Sequence, residues 1–134
     1  MKVDHDYLKN MLEKMEGINA PIFNINDLKN AGLNYDDDNF IFHMAILSDY
    51  GLIERDDREA GFGLFRGSDG YVSWAAIPLR LTAQGHQFIE ALHNKEVWTT
   101  IKKEFRDAGI KTLWDVSKSL LEGFAKKRVE ELLK

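Results

Sequence analysis

Apolar residues near the start of the chain recur at the spacing of an amphipathic helix. They fall three or four positions apart between residues 5 and 15, with polar residues between them: Tyr7, Leu8, Met11, Leu12 and Met15. This period places the apolar side chains on one face of an α-helix. Asp4 precedes the pattern and Gly17 follows it, so we predict a helix over residues 5–15 with Asp4 as its cap.

The pattern predicts two further helices in the first part of the chain. Asn24 or Asn26 caps a short helix that runs through residues 28–31. The run Asp36-Asp37-Asp38 opens a third helix that ends near Tyr50, and these three carboxylates suit the positive end of the helix dipole. Helix, helix, turn and helix within about 50 residues are typical of a helix-turn-helix core.

Strand-like segments follow the third helix. We predict a short strand at residues 52–54, a hairpin with strands near 61–66 and 71–76, and a return strand at 79–81. Small residues at the centre of the hairpin tolerate positive φ and predict its turn. Apolar and polar residues alternate only partly in the two hairpin strands, where the apolar positions are Phe62, Leu64, Tyr71 and Trp74.

Two helices are predicted directly after the return strand. Thr82 caps a fourth helix over about residues 83–93. Asn94 ends that helix and caps a fifth one over about residues 95–108. Both helices carry an apolar stripe, so we expect both to pack against the rest of the chain.

The last predicted helix runs from residue 113 to about residue 133. Thr112, with Asp115 three positions later, forms a variant of the capping box at its start. A broad apolar face runs along this helix and is interrupted by Lys126, Lys127 and Arg128. Two interpretations stay open: the helix packs back on its own chain, or it pairs with the same helix of a second copy in a homodimer.

These elements predict an α+β fold. The order of elements is that of a winged helix, a helix-turn-helix core with a β-hairpin wing, extended here by two C-terminal helices. We expect one domain over residues 1–134, in which residues 1–93 form the core, about 52–81 form the wing region and 94–134 form the extension.

Two sequence motifs resemble known families. Residues 79–89, LRLTAQGHQFI, resemble the strand-to-helix junction of winged-helix regulators of the MarR and PadR kind. A wider set of features resembles a family of bacteria and their phages, domain of unknown function 2513, over about residues 36–130. These features are His43 with Leu47, Gly51-Leu52-Ile53, the run IPLRLT at 77–82, Gly85-His86, Phe88 and Trp98. The resemblance implies a winged helix in a phage or prophage setting, and it implies no activity and no site residues.

Composition and charge narrow the classes of function. The chain has 134 residues, of which 44% are hydrophobic and 30% charged, and it has no cysteine, so a disulfide or a cysteine-based zinc site is excluded. Its first residues are too polar for a signal peptide, and no apolar run approaches the length of a membrane helix, so we expect a cytoplasmic protein without membrane contact. The net charge of −4 gives no general attraction to nucleic acid.

The third helix lacks the side chains of a DNA-reading helix. Between Asp36 and Asp49 there is no lysine or arginine, although such a helix needs cations for phosphates and donors for base edges. Segment 36–70 has nine acids and three arginines, a net charge of −6, so the rest of the −4 chain carries +2. The negative charge therefore lies where a DNA-reading winged helix is usually positive.

We favour a non-enzymatic interaction module whose third helix and wing bind a protein partner. Projected at 100° per residue, Phe40, Met44 and Leu47 face the core, and the opposite face holds the predicted binding residues Asp38, Phe42, Ala45 and Asp49. A plainer interpretation of the acids also stays open, namely a solvated surface and a charged helix start.

The alternative is a DNA-binding transcriptional regulator with dimer symmetry. Its base readers would be Asn39 and His43, and its phosphate or minor-groove contacts would come from Arg55, Arg58 and Arg66 near the wing. An enzyme is a third and weaker hypothesis, because His86 and His93 lie seven positions apart with no carboxylate to complete a metal site. We predict no catalytic residue, no metal site and no cofactor.

Overall fold

The computed structural model describes residues 1–134 and shows an α+β protein with six helices and two small antiparallel sheets. None of the helices is both long enough and apolar enough to cross a membrane. The elements follow in the order α1 (His5–Glu16), α2 (Ile25–Asn30), α3 (Asp38–Asp49), β1 (Ile53–Arg55), β2 (Leu64–Arg66), β3 (Val72–Trp74), β4 (Leu79–Leu81), α4 (Ala83–His93), α5 (Lys95–Glu104) and α6 (Ile110–Leu132).

Side-chain caps begin four of the helices where local sequence predicts them. The Asp4 carboxylate accepts the backbone N–H of the third helical residue of α1, and the Asn94 amide oxygen does the same for α5. Asn24, rather than Asn26, caps α2, and the Asp27 side chain returns a bond to the Asn24 N–H at 2.9 Å. Thr82 caps α4 by accepting the N–H of Gly85, so each of these helices has at least one first-turn N–H group bonded to its cap.

One predicted helix start and one predicted helix end are wrong. Helix α3 begins at Asp38, within the predicted run of three aspartates, and the Asp37 side chain caps it by accepting the N–H of Asn39. Helix α6 begins at Ile110 without a side-chain cap, and Asp115 instead accepts a bond from Lys111 at 2.7 Å. Ile110 packs against the core, which favours the earlier start. Helix α5 ends at Glu104, four residues earlier than predicted.

The return strand β4 organises the larger sheet. It pairs antiparallel with β1, with Ile53 opposite Leu81. On its other edge Leu79 forms a bridge to Phe23, the residue that links α1 to α2. The second sheet is the hairpin of β2 and β3, defined here as residues 64–74, in which Leu64 lies opposite Trp74. Its strands are shorter than predicted, and its turn lies at the predicted residues.

One continuous hydrophobic core joins the helices to β1 and β4. It consists of 21 buried residues from α1 to the first turn of α6. The side chains predicted to face inward from α3, namely Phe40, Met44 and Leu47, are completely buried in it. The opposite side of α3 is therefore directed away from the core.

Candidate functional site

The outer face of α3, defined as Asp38, Phe42, Ala45 and Asp49, lies opposite the core residues as predicted. Asp38 and Asp49 are exposed, whereas Phe42 and Ala45 are half-buried rather than free. Neither Phe42 nor Ala45 belongs to the core cluster or packs against it. The helix is therefore apolar on both sides, and its outer side carries an exposed carboxylate at each end.

The hairpin is held against the start of α3 by Trp74. The Trp74 ring lies 5.8 Å from the Phe40 ring, 5.8 Å from Phe62 and 6.0 Å from Tyr35, and these aromatic pairs are tilted or edge-on. Its indole N–H donates a bond of 3.0 Å to the backbone oxygen of Tyr35. The inner side of the hairpin is thus anchored, which fixes its outer side relative to α3.

The outer side of the hairpin exposes two aromatic side chains. Phe65 is 51% exposed and Tyr71 is 78% exposed. Neither residue belongs to the predicted site, although the register of β2 and β3 shows that both lie on the outer side. Side chains alternate along a strand, so Tyr71 lies on the side opposite Trp74, and Phe65 pairs with Ser73 on that same outer side. The partial alternation in the sequence named Tyr71 and Trp74 together as apolar strand positions and assigned neither of them to a side.

Two of the three arginines predicted for DNA contact are held by carboxylates. Arg55 donates to Asp57 through Nε at 2.9 Å, which lowers the pKa of the Asp57 carboxyl below its usual value. Arg58 pairs with Glu54, and Arg80 reaches the same carboxylate from β4 through Nε at 2.7 Å. Asp57 therefore offsets the charge of Arg55, whereas Arg58 and Arg80 share the single charge of Glu54.

Unpaired charge in this region is almost entirely negative. Arg66, beside the hairpin turn, is exposed and forms no ion pair. Seven of the nine acids of segment 36–70 also form none: Asp36, Asp37, Asp38, Asp49, Asp56, Glu59 and Asp69. Tyr7 lies near the start of α3, and its pKa is raised by burial first and by the Asp37 carboxylate second. The acids therefore dominate the potential around α3 and the hairpin.

His43, a base reader in the DNA-binding alternative, lies inside the protein and not on its surface. His43 is completely buried, with its ring 4.9 Å from Tyr7 and 5.1 Å from Phe42. Its Nε2 accepts the backbone N–H of Asp4 at 3.0 Å, so Nδ1 is the donor to the Asn39 carbonyl at 2.7 Å. Both ring nitrogens are engaged inside the protein, and Asn39 itself is half-buried.

The histidines considered for catalysis lie apart from each other. His86 lines a recess of about 80 Å³ that Glu16 also lines, and His93 lies on the surface with Nε2 3.6 Å from Glu13. No group of three or more histidines and carboxylates is arranged to hold a metal ion. The exposed acids of α3 and the exposed aromatic residues of the hairpin are the surface side chains that stand out beside these histidines.

The sequence profile of one family, described as "Hypothetical protein (DUF2513)", matches residues 2–111. The chain belongs to this family. The resemblance to domain of unknown function 2513 is thereby confirmed, and the match begins earlier than the motifs indicated and ends at the first turn of α6. No curated protein and no solved structure matches the chain. The likeness to MarR and PadR regulators and the phage setting stay predictions.

Proposed function

We propose that this DUF2513 protein is a non-enzymatic winged-helix interaction module that binds a basic protein partner through α3 and the hairpin. The order of α1, the Phe23 bridge, α2, α3, β1, the hairpin and β4 supports the winged-helix assignment, because the hairpin leaves the sheet where a wing does. The phage or prophage setting that the family resemblance implies is part of this proposal.

The observation that carries the proposal is the pair of exposed aromatic residues on the outer side of the hairpin. Tyrosine and phenylalanine are enriched at protein–protein interfaces, since they supply a large apolar area. Phe65 and Tyr71 have no packing role in the core cluster, whereas Trp74 on the inner side has one. A partner that covered both rings would gain the main apolar contact at this surface.

The unpaired acids define the charge of the partner. Complementary charge increases the rate of association and the specificity of an interface more than its affinity. Asp38 and Asp49 flank the outer face of α3, and Asp69 lies at the hairpin turn. A partner with lysine or arginine around an apolar centre fits this arrangement.

DNA binding is the second candidate, and Arg66 is the observation that favours it. An arginine beside a hairpin turn can enter a narrow minor groove. Arg55 and Arg58 are already paired with carboxylates and His43 is buried, so most of the residues that this function needs are engaged elsewhere. Arg66 alone would have to overcome the repulsion between the acids and the phosphates.

Fluorescence anisotropy of a labelled random-sequence duplex separates the two candidates. We expect no binding by tens of micromolar protein at about 50 mM salt, because few phosphate contacts are available. Binding that weakens steeply at about 200 mM salt and is lost in Arg66→Ala would replace the proposal with the DNA-binding one.

Site-specific photocrosslinking in host cells tests the protein partner directly. A photoreactive phenylalanine analogue at position 65 should capture one predominant protein with a basic sequence, and the same analogue at exposed Thr99 on α5 should not. Tyr71→Ser should reduce capture from position 65 without loss of folded protein. Equal capture from both positions, or capture of an acidic protein only, would contradict the proposal.

A further inference from the structure

An open apolar cavity lies between α4 and α6, far along the chain from the α3 surface. Its volume is about 280 Å³, and Phe88, Ala91, Trp114 and Leu121 form its apolar lining. The Trp114 and Phe88 rings lie 5.4 Å apart. Ser117 also borders the cavity, but its hydroxyl donates to the Trp114 carbonyl at 3.1 Å. The cavity therefore offers a place for apolar side chains.

The last ten residues of the chain carry apolar side chains that no other part of the chain covers. Every residue from 125 to 134 is exposed. Val129 is 53% exposed, Leu132 66% and Leu133 81%, although all three belong to or directly end α6. Helical turns without tertiary contacts are marginal in water, so this end of α6 gains stability when another surface covers it.

A single seam on α6 joins the cavity to this exposed end. Six positions follow one another at alternating spacings of four and three, the repeat of helix-on-helix packing: Trp114, Lys118, Leu121, Ala125, Arg128 and Leu132. The order of these spacings is the same from either end of the seam, so the seam can pair with itself in the antiparallel direction. In an antiparallel pair of α6 helices, position 114 therefore lies opposite 132, 118 opposite 128 and 121 opposite 125.

Charges at the cavity and at the exposed end are complementary. The cavity is bordered by two acids, Glu90 and Glu122, and one base, Lys118, a net charge of −1. Side chains of residues 125–134 comprise four bases and two acids, a net charge of +2. The seam places Lys118 opposite Arg128, and these two cations repel each other. Glu131 lies 3.8 Å from Arg128 in the same chain and reduces this repulsion.

We propose that two copies of this chain pair antiparallel through α6, with Leu132 and Leu133 of each copy in the α4–α6 cavity of the other. Positions 114 and 132 are about 27 Å apart along the helix at 1.5 Å per residue. The same contact thus occurs twice, once at each end of the seam, as a two-fold symmetric interface requires. This pairing leaves α3 and the hairpin free for another partner.

Sedimentation velocity of the full chain tests the pairing. We expect twice the mass of one chain over protein concentrations from about 1 to 200 µM, and a single-chain mass for the Leu132→Glu/Leu133→Glu variant. Both leucines are exposed, so this variant should keep the wild-type thermal unfolding of the core, and any loss of far-UV circular dichroism should be limited to the last ten residues. Phe65→Ser, which removes an exposed apolar residue from the hairpin, is the matched control and should stay dimeric. A wild-type monomer throughout this range would overturn the proposal.

Cysteine cross-linking tests the antiparallel register. The chain has no cysteine, so Lys118→Cys and Arg128→Cys each introduce a single thiol at an exposed position. Under mild oxidation each variant alone should stay uncross-linked, because its own thiols lie about 15 Å apart in the antiparallel pair. A mixture of the two variants should give a disulfide-linked heterodimer. Efficient self-cross-linking of either variant, or no cross-linking of the mixture, would overturn the register.

Discussion

Two histidines on helices have opposite roles because of what surrounds them. His43 on α3 is completely buried and bonded at both ring nitrogens, whereas His86 on α4 is exposed. The Nε2 atom of His43 accepts the N–H of Asp4, the residue that caps α1. This neutral imidazole therefore ties the beginning of α1 to α3. In sequence both histidines are simply polar residues in a helical pattern, and only the packing of α1 on α3 distinguishes them.

Replacement of His43 should destabilise the protein strongly. His43→Ala removes a buried ring and leaves the Asp4 N–H without its partner, so we expect a loss of about 3 kcal/mol in the free energy of unfolding. Urea denaturation measures this loss. The control His86→Ala alters an exposed residue and should change the free energy by less than about 0.5 kcal/mol. Equal effects of the two substitutions would show that the His43 bonds do not matter for stability.

At the scale of elements, the junction between β4 and α4 is closely packed against the end of α3. The Thr82 hydroxyl accepts the N–H of Gly85 at 3.0 Å and donates to the Gly51 carbonyl at 2.6 Å. A Cβ atom at Gly85 would lie 2.2 Å from the backbone oxygen of Leu52. The start of α4 is therefore held against the segment that leaves α3, which explains why a glycine stands one turn into the helix.

Two glycine-to-alanine substitutions should have opposite effects. Gly85→Ala forces a backbone shift at the junction, and we expect a loss of about 2 kcal/mol or more in stability. Gly123→Ala lies within α6, where a Cβ would meet open space, so the higher helix propensity of alanine should add about 0.5–1 kcal/mol. Thermal denaturation of both variants measures the difference. An unchanged thermal midpoint for Gly85→Ala would mean that the β4–α4 junction adapts easily.

Over the whole molecule, two surfaces of different character lie on separate elements. The α3 and hairpin surface combines exposed aromatics with unpaired acids, whereas the end of α6 combines exposed leucines with lysines. Opposite charge at separate sites is compatible with one contact between copies and another with a different partner. Net charge alone, at −4, does not reveal this division.

Removal of the exposed end of α6 should change the concentration dependence of stability. If two copies pair through α6, the thermal midpoint of the full chain should rise by roughly 5 °C over a hundredfold increase in concentration. A chain that ends at Phe124, the last residue of α6 packed against the core, should keep its fold and lose this dependence. Differential scanning calorimetry at both ends of the range measures the midpoints, and identical behaviour of the two chains would count against pairing through this segment.

Local sequence by itself determined the helix caps at Asp4, Thr82 and Asn94 and the inward face of α3, and it predicted the bounds of α4 to the residue. Caps and helical faces depend on residues within about four positions of one another, so a one-dimensional pattern contains them. The α6 start was predicted wrongly because a capping-box pattern inside a helix looks the same in sequence as one at its start.

Only the tertiary structure decided which polar side chains remain available at the surface. His43 became a buried link when α1 packed on α3, and Arg80 reached Glu54 when β4 paired with β1. The exposure of Phe65 follows from the hairpin register and from the anchoring of Trp74 on the other side. Burial and ion pairing depend on contacts between elements distant in the chain, and that is why these features of the candidate site came from the fold.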